Sequence, residues 1–517
     1  MTMRYDKLEE AFRMYERGEL TPETVKPVVA CYGIYQQRDT AFMARVRVCG
    51  GALPCASLRA LADLLEPVGA RAHLTTRQDI QIHDLPAARV AQVVAACDAL
   101  GYPFRGGGGN TYRNLVVGPS SGLSASGCFD VYPYAHAVNR ALMASDAAFE
   151  LPRKFKIGFF AEAADALRAA VHDVGFVATL RGGARGFVLT GGGGLGRESR
   201  AGVLLSPFLP AGEAVRAALA AVSLFHAHGD RENRNRARLR FVLTRLGEEA
   251  FRERFWQTFD ATVCAETVPE VPETALPEGF AARAAAARPD VGQAIDTRFD
   301  VWKQMAVLPT CFGEAVRSVR LFVPYGNLSA AQMRAVARIA EEAGSPFVRV
   351  LPAQDLLIPF AADAELPALY TRLRRELAGL DVTFDSYKGH VVTCVGATVC
   401  RIGVGDAPAA GDALAAELDR FLPADTPAKL SLFRRVVDDV RLSGCPNACS
   451  AHPAARAGIQ CVKRRQADGT VVTLGQLFTG AGIGPDGTAR LSAADPRGPL
   501  PLADLAEQIA RGAGTER

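Results

Sequence analysis

Residues 44–69, ARVRVCGGALPCASLRALADLLEPVG, return in altered form at 319–344 as VRLFVPYGNLSAAQMRAVARIAEEAG. Val323 answers Val48 and Gly326 answers Gly51. Met333 and Val336 repeat the helix face that Leu58, Leu61, Leu64 and Leu65 mark in the first copy. Further on, Gln354-Asp355-Leu356 answers Gln78-Asp79-Ile80 at nearly the same offset. Around the first copy the chain alternates strand and helix signals: FMARVRVCGG, an apolar helix, ARAHLTTRQDIQIHDL, and a second apolar helix near 88–99. That is a β-α-β-α unit of the small α+β kind. A repeat spaced from Gly51 to Gly326 is a duplicated half, because solenoid repeats recur far sooner.

The copies differ where the chemistry is. Arg47 becomes Phe322, Arg77 becomes Ala353 and Gln81 becomes Leu357, while the apolar positions persist. Packing alone would keep the apolar set, and it does. The cationic set survives in one copy only, as one anion site in a pseudo-symmetric protein requires. The first half gathers Arg47, Arg77, Arg113, Arg153, Lys154, Lys156 and Arg238 in short motifs. Most Lys and Arg are surface charges. Arg45 and Arg47, however, alternate with apolar residues and so share one strand face, and Lys154 and Lys156 do the same around Phe155. Two such pairs point to a converging anion pocket.

The other half carries cysteines. TCVGATVC places five residues between Cys394 and Cys400, SGCPNAC places three between Cys445 and Cys449, and 44 residues separate the pairs. Gly396, Gly444 and Pro446 beside them let the backbone bend and aim amides at sulfur. Four thiolates in two local pairs suit one iron–sulfur cluster. Zinc is the alternative, although it favours tighter CxxC or Cys/His spacing and only His452 lies nearby. Four buried cysteines acting as small hydrophobes is the other. The remaining eight cysteines are scattered singly and read as core or incidental. Arg401, directly after Cys400, reads as solvated, or else as facing an electron donor.

At 517 residues the chain holds about three or four domain-sized units. A net charge of +4 gives no ground for nucleic-acid binding. The opening MTMRYDKLEEAFRMYERGEL is charged and helix-like, with no signal-peptide core, and no apolar run is long enough for a membrane span. A reducing, cytoplasmic setting follows, in which cysteines are metal ligands before they are disulfides. Gly191, Gly193 and Gly196 fit GxGxxG formally. With no acidic residue at the ribose position, these glycines are better read as letting backbone approach a flat cofactor. Pro269, Pro272, Pro277 and Pro289 mark a linker between the halves.

RVRVCGG, LTTRQDIQIH, NTYRN, LPRKFK, GFVLTGGGGLGR, GDRENRNRARLRF, CVGATVC and SGCPNAC occur in that order over nearly the whole chain. In this it resembles the sirohaem- and [4Fe–4S]-dependent sulfite and nitrite reductases. The resemblance implies an α+β fold of duplicated pseudo-two-fold architecture, with two small ferredoxin-like units and two larger α/β units around one cofactor site. It divides the chain into a helical lead-in and first ferredoxin-like half-domain (1–104), a first sirohaem-binding α/β domain (105–264) and a linker (265–310). A second half-domain (311–385) and a second α/β domain with the cluster (386–517) follow.

By the same resemblance, Cys394, Cys400, Cys445 and Cys449 hold the cluster, and Cys449 also bridges it to the sirohaem iron. Arg47, Arg113, Lys154 and Lys156 line the substrate face. Arg77, Gln81, Asn110, Arg113 and Arg238 bind the sirohaem carboxylates or lie beside them, Arg238 standing where some relatives have lysine. Arginine suits the task because its fork pairs with carboxylates bidentately. The segment after Cys449 matches loosely and receives no assignment.

Relatives that prefer nitrite often have Asn where Lys156 stands. Sulfite is largely a dianion near neutral pH, so the extra cation favours six-electron reduction of sulfite to sulfide, with nitrite to ammonia as the alternative. Two further alternatives are a precorrin-3B synthase-like enzyme, which need not keep the full cation set, and a non-enzymatic iron–sulfur electron carrier, which leaves the cations unexplained. No flavin or nicotinamide module is evident, so electrons come from a partner, a ferredoxin or a flavoprotein subunit.

Overall fold

A computed structural model describes residues 5–266, 268, 274–287, 298–377, 379–380, 384–421 and 426–512. Pro269, Pro272 and Pro289 of the expected linker lie outside them.

The repeat folds into two sheets of identical plan that trade strands. The first has the order Tyr35–Gln36, Phe42–Val46, Ile80–Leu85, Arg71–Leu74, Asn327–Leu328. The second has Val307–Pro309, Val316–Leu321, Leu356–Ala362, Phe347–Val350, Ala52–Pro54. The outermost strand of each sheet therefore belongs to the other half. Asn327 and Leu328 pair with His73 and Ala72, and Ala52 to Pro54 pair with Arg349 to Phe347, all antiparallel. The duplicated glycines make the crossing possible. Gly51 (φ +75°) and Gly326 (φ +71°) press against the carbonyls of Val350 and Leu74, where an added Cβ would come within 2.5 and 2.6 Å. The duplicated glutamines, both left-handed, lock it: Gln78 donates to Val350 O at 3.0 Å and Gln354 to Leu74 O at 3.2 Å.

The helices follow their sequence signals. Leu58, Leu61, Ala62 and Leu65 are the buried face of Cys55–Leu65, and Met333, Val336, Ala337 and Ala340 that of Ala330–Glu342. Ser329 and Gln332 cap the latter reciprocally, at 3.2 and 2.9 Å. ARAHLTTRQDIQIHDL is not one strand but a hairpin, Arg71–Leu74 and Ile80–Leu85, turned by the buried loop 75–79.

The two α/β units also share a plan. Val116–Val117, Ile157–Phe160 and Val174–Arg181 run parallel, then Ala184–Gly191 and Val203–Pro210 antiparallel. Val392–Thr393, Val440–Ser443 and Ala457–Arg465 repeat the parallel part, then Val471–Thr479 and Ala493–Ala494 the antiparallel part. The first unit has its own core, whereas the second shares one continuous core with both half-domains. The stretch 265–310 is more than a tether: it contains the helices Phe280–Ala286 and Arg298–Ala306, with Phe280 and Trp302 buried. Among the described residues no helix is long and apolar enough to cross a membrane.

Candidate cluster cage and anion site

The cysteine pairs follow directly on two parallel strands of the second α/β unit. Cys394 comes after Thr393, and Gly444 and Cys445 come after Ser443. The carboxyl ends of parallel strands are where open α/β sheets place their sites. The loops are tight enough to demand glycine: a Cβ on Gly396 (φ +52°) would lie 2.3 Å from Ala407 N, and one on Gly444 2.6 Å from Gly405 O. Gly444 N–H donates to Cys394 Sγ at 3.2 Å. Amides of Gly396 at Cys394, of Ile402 and Gly403 at Cys400, and of Asn447 at Cys445 also point at sulfur.

Burial pushes the Cys394 thiol up to about 12 and raises Cys400 and Cys445, and each of the three feels Cys449. Cys449 thus lies within electrostatic reach of the other three sulfurs, whose burial resists their ionisation unless positive charge enters the site. Among the described residues no three His, Cys, Asp or Glu side chains close around a single metal ion. Four cysteines in two loop pairs, with amides aimed at sulfur, fit an iron–sulfur cluster. His452 is buried against the Phe478 ring, 4.8 Å between centroids. Cys461 is buried core, as expected of the single cysteines, but Cys31, Cys128 and Cys311 are exposed. Arg401 is exposed and donates to Gln36 Oε1 at 2.7 Å, while Arg38 clasps the carbonyls of Cys400 (3.3 Å) and Gly403 (2.9 Å).

The cations collect in the first half, against the cluster loop. Burial lowers the Lys156 ammonium far below its usual range, with Arg77, Lys154 and Arg238 adding repulsion and Cys449 opposing it. Burial, then Arg238, bring Lys154 down to about 7. Burial also brings Arg77 and Arg113 down to about 10. Among the described residues, two buried carboxylates answer this charge. Asp173 accepts from Arg238 Nη2 at 2.9 Å and from the Lys156 amide at 2.8 Å. Asp79 sits among Arg45, Arg77 and Arg47. The Nε groups of Arg45, Arg77 and Arg238 are buried without partners. A desolvated cation surplus with unused donors fits a polycarboxylate cofactor and a small anion.

The remaining site residues scatter more than their motifs imply. Arg113 wraps its own loop, donating to Thr111 O (2.7 Å), Gly109 O (2.9 Å) and Gly108 O (3.1 Å). Arg77 donates to the Asn114 carbonyl and to His172 Nε2, the latter at 3.2 Å. The Gln81 amide satisfies its neighbours when its oxygen accepts from Arg45 (2.8 Å) and its nitrogen donates to His83 Nε2 (3.1 Å). Asn110 is exposed, its carbonyl accepting from Leu151 N at 2.9 Å.

The two expected pairs do not both lie within strands. The strand carrying Arg45 ends at Val46, yet Arg47 keeps to its side: a Cβ on Gly107 would lie 3.2 Å from Arg47 Cδ and 3.7 Å from Arg45 Cδ. Arg47 donates to Arg105 O at 2.6 Å and lies 4.3 Å over the Tyr112 ring. Lys154 and Lys156 precede the strand that starts at Ile157. The Lys156 amide is spent on Asp173, and Phe155 bridges only to Tyr112. The glycine run approaches protein rather than open space: a Cβ on Gly193 would lie 2.0 Å from Ala170 O, and one on Gly194 3.0 Å from Arg238 Nη2. Sequence reasoning missed Asp173 and His172 as site members. An Asp directly before a buried apolar strand, DVGFV, was the available signal for the first.

Residues 35–100 and 313–376 match the family described as nitrite/sulfite reductase ferredoxin-like half domain. Residues 108–261 match the nitrite and sulphite reductase 4Fe-4S domain. The chain is 27% identical over 461 residues to a ferredoxin–nitrite reductase of Synechococcus elongatus, covering 86% of this chain and 81% of that protein. It is 26% identical over 498 residues to the sulfite reductase (NADPH) hemoprotein beta-component of Acidithiobacillus ferrooxidans, covering 86% and 80%. The solved structure of the Mycobacterium tuberculosis NirA protein shares the fold, with a TM-score of 0.77 at 22% identity over 97% of this chain and 90% of that one. With its duplicated half-domains, its four-cysteine cage and its unpaired cations, the chain belongs to the sirohaem- and [4Fe–4S]-dependent nitrite and sulfite reductase family.

Proposed function

We propose that this protein reduces sulfite to sulfide, with electrons from an external ferredoxin-type carrier, in the cytoplasm, where its cysteines stay reduced. The observation that carries the reading is the half-buried pair Lys154 and Lys156 among Arg77, Arg113 and Arg238. Each added cation in a desolvated pocket favours a dianion over a monoanion. Cys394, Cys400, Cys445 and Cys449 would hold the cluster, and Arg77, Gln81, Asn110, Arg113 and Arg238 the sirohaem carboxylates. When bound, the cofactor pair supplies single electrons to the anion.

The protein's own part is charge and protons. Sulfite takes up six electrons and seven protons to give hydrosulfide and three waters. Arg47, Arg113 and Lys156 hold negative charge in place, and Lys154, with its ammonium near 7, holds a proton at Nζ that it can give up at neutral pH.

Nitrite, going to ammonium with six electrons, eight protons and two waters released, is the second reading. It is favoured by the likeness to the Synechococcus ferredoxin–nitrite reductase. The test is anaerobic turnover of the purified, cofactor-replete protein with reduced methyl viologen, with sulfite and nitrite side by side and sulfide and ammonia quantified. A higher kcat/KM for sulfite, with sulfide formed, supports the first reading; a higher value for nitrite selects the second.

A further inference from the structure

A cavity of about 100 Å³ opens beside Cys394. Arg71, His73 and Asn327 line it from the first sheet, and Tyr325, Thr393 and Cys394 from the second half. A space of that size takes several waters, and this lining is polar enough to hold them. Thr393 is its odd member. It is 1% exposed, and among the described residues nothing meets its Oγ1. A buried hydroxyl left so is unfavourable unless water satisfies it. The duplication shows that packing does not ask for this hydroxyl. Val117 is the counterpart of Thr393, because each lies opposite the third residue of the neighbouring parallel strand, Phe159 and Leu442. Gly50 is likewise the counterpart of Tyr325, one place before the matched Gly51 and Gly326. In the first half a Cβ on Gly50 would lie 2.6 Å from the Tyr132 ring and 2.8 Å from Val117 Cγ2. In the second half the ring is that of Tyr325, held at φ +52°, and the bare position is Gly411. A Cβ there would lie 3.0 Å from Thr393 Cγ2 and 3.2 Å from Tyr325 Cε1. A methyl does the packing in both halves, and the extra hydroxyl stands in the half that carries the cysteines.

We propose that this cavity is a water chamber against the Cys394 edge of the cluster, anchored by the Thr393 hydroxyl, and that it raises the cluster's reduction potential. The proposal rests on Cys394 holding the cluster. Reduction adds an electron to a cage already made anionic by its thiolates, so hydrogen bonds and solvent beside a sulfur favour the reduced form. Gly444 N–H reaches Cys394 Sγ at 3.2 Å from the cluster loops themselves, and the chamber adds water as a second source. Water suits the cavity better than an anion does, because Arg71, the cation lining it, is already paired with Asp84 at 2.6 Å.

The test compares cofactor-replete wild type with Thr393→Val and Thr393→Ser. Acid-labile sulfide per chain is measured, and the midpoint potential of the cluster is taken from a redox titration followed in the spectrum of the reduced protein. Thr393→Val keeps the shape and removes the hydroxyl, as Val117 does in the first half. It should keep its labile sulfide and lower the reduction equilibrium constant roughly three- to tenfold, a shift of up to about 59 mV to more negative potential for one electron. Thr393→Ser keeps the hydroxyl and should stay near wild type. A wild-type potential in Thr393→Val overturns the proposal. So does a potential in Thr393→Ser as negative as that in Thr393→Val, which gives the effect to the methyl. Loss of labile sulfide from Thr393→Val also overturns it, in favour of a structural role. Wild-type protein that holds no labile sulfide overturns the cluster reading itself.

Discussion

The Thr76 hydroxyl donates to the carbonyl of Cys449 at 2.9 Å, joining the hairpin loop that presents Arg77 to the loop that presents the last cysteine. Thr76→Val removes that bond and keeps the shape. Stability should fall by about 1 kcal/mol in urea unfolding, the usual net worth of one hydrogen bond. Cys449→Ser acts differently. It should abolish the magnetic coupling between sirohaem and cluster in spectra of the reduced protein, which Thr76→Val should leave in place.

Lys156→Asn removes from the proposed anion pocket one half-buried amine able to carry positive charge. The kcat/KM for sulfite should drop roughly 10- to 100-fold, as losing a charge-assisted contact to the reacting anion implies, and that for nitrite should drop less. Equal losses for the two anions in parallel assays would defeat the charge argument for sulfite.

Arg238 and Asp173 are 2% and 0% exposed and 2.9 Å apart. Arg238→Met leaves Asp173 charged and buried without its cation, and should cost about 3–5 kcal/mol in chemical unfolding. The double variant Arg238→Met/Asp173→Asn should recover much of that loss. A double variant as unstable as the single would show that packing, not charge, is what Arg238 supplies.

Burial holds the imidazole of His73 down at about 4 and that of His83 at about 2. Both lie below the unfolded value of about 6.5. Between those values the unfolded chain binds protons that the folded one refuses. Their stabilisation is therefore whole above about 6.5 and shrinks as pH falls, by roughly 1.4 kcal/mol per pH unit for each histidine. The urea midpoint should decline from pH 7 to pH 5, and decline less in His73→Gln.

How much the sequence disclosed depended on whether a feature repeats along the chain. The helix face Met333/Val336 and the paired cysteines are periodic or locally patterned, and they lie where their spacing puts them. The exchange of Ala52–Pro54 for Asn327–Leu328 left no such trace, because strands of two or three residues carry too little alternation to assign them to a sheet. Arg47 was paired with Arg45 by alternation, and the two do share a side, although the strand itself stops at Val46 between them. Asp173 and His172 sit in a loop, where the partner across the site gives a residue its role, and that partner is remote in sequence.

Because Ala52–Pro54 closes the sheet of the other half and Asn327–Leu328 closes its own half's counterpart, neither half is a module that can travel alone. Stripped of its companion, one would present Arg71–Leu74, and the other Phe347–Val350, as a raw margin ready to zip onto a stranger. A chain severed between the halves should stay clasped and keep working, while either piece made by itself should clump. The ancestral duplication has become a handshake that neither partner can release.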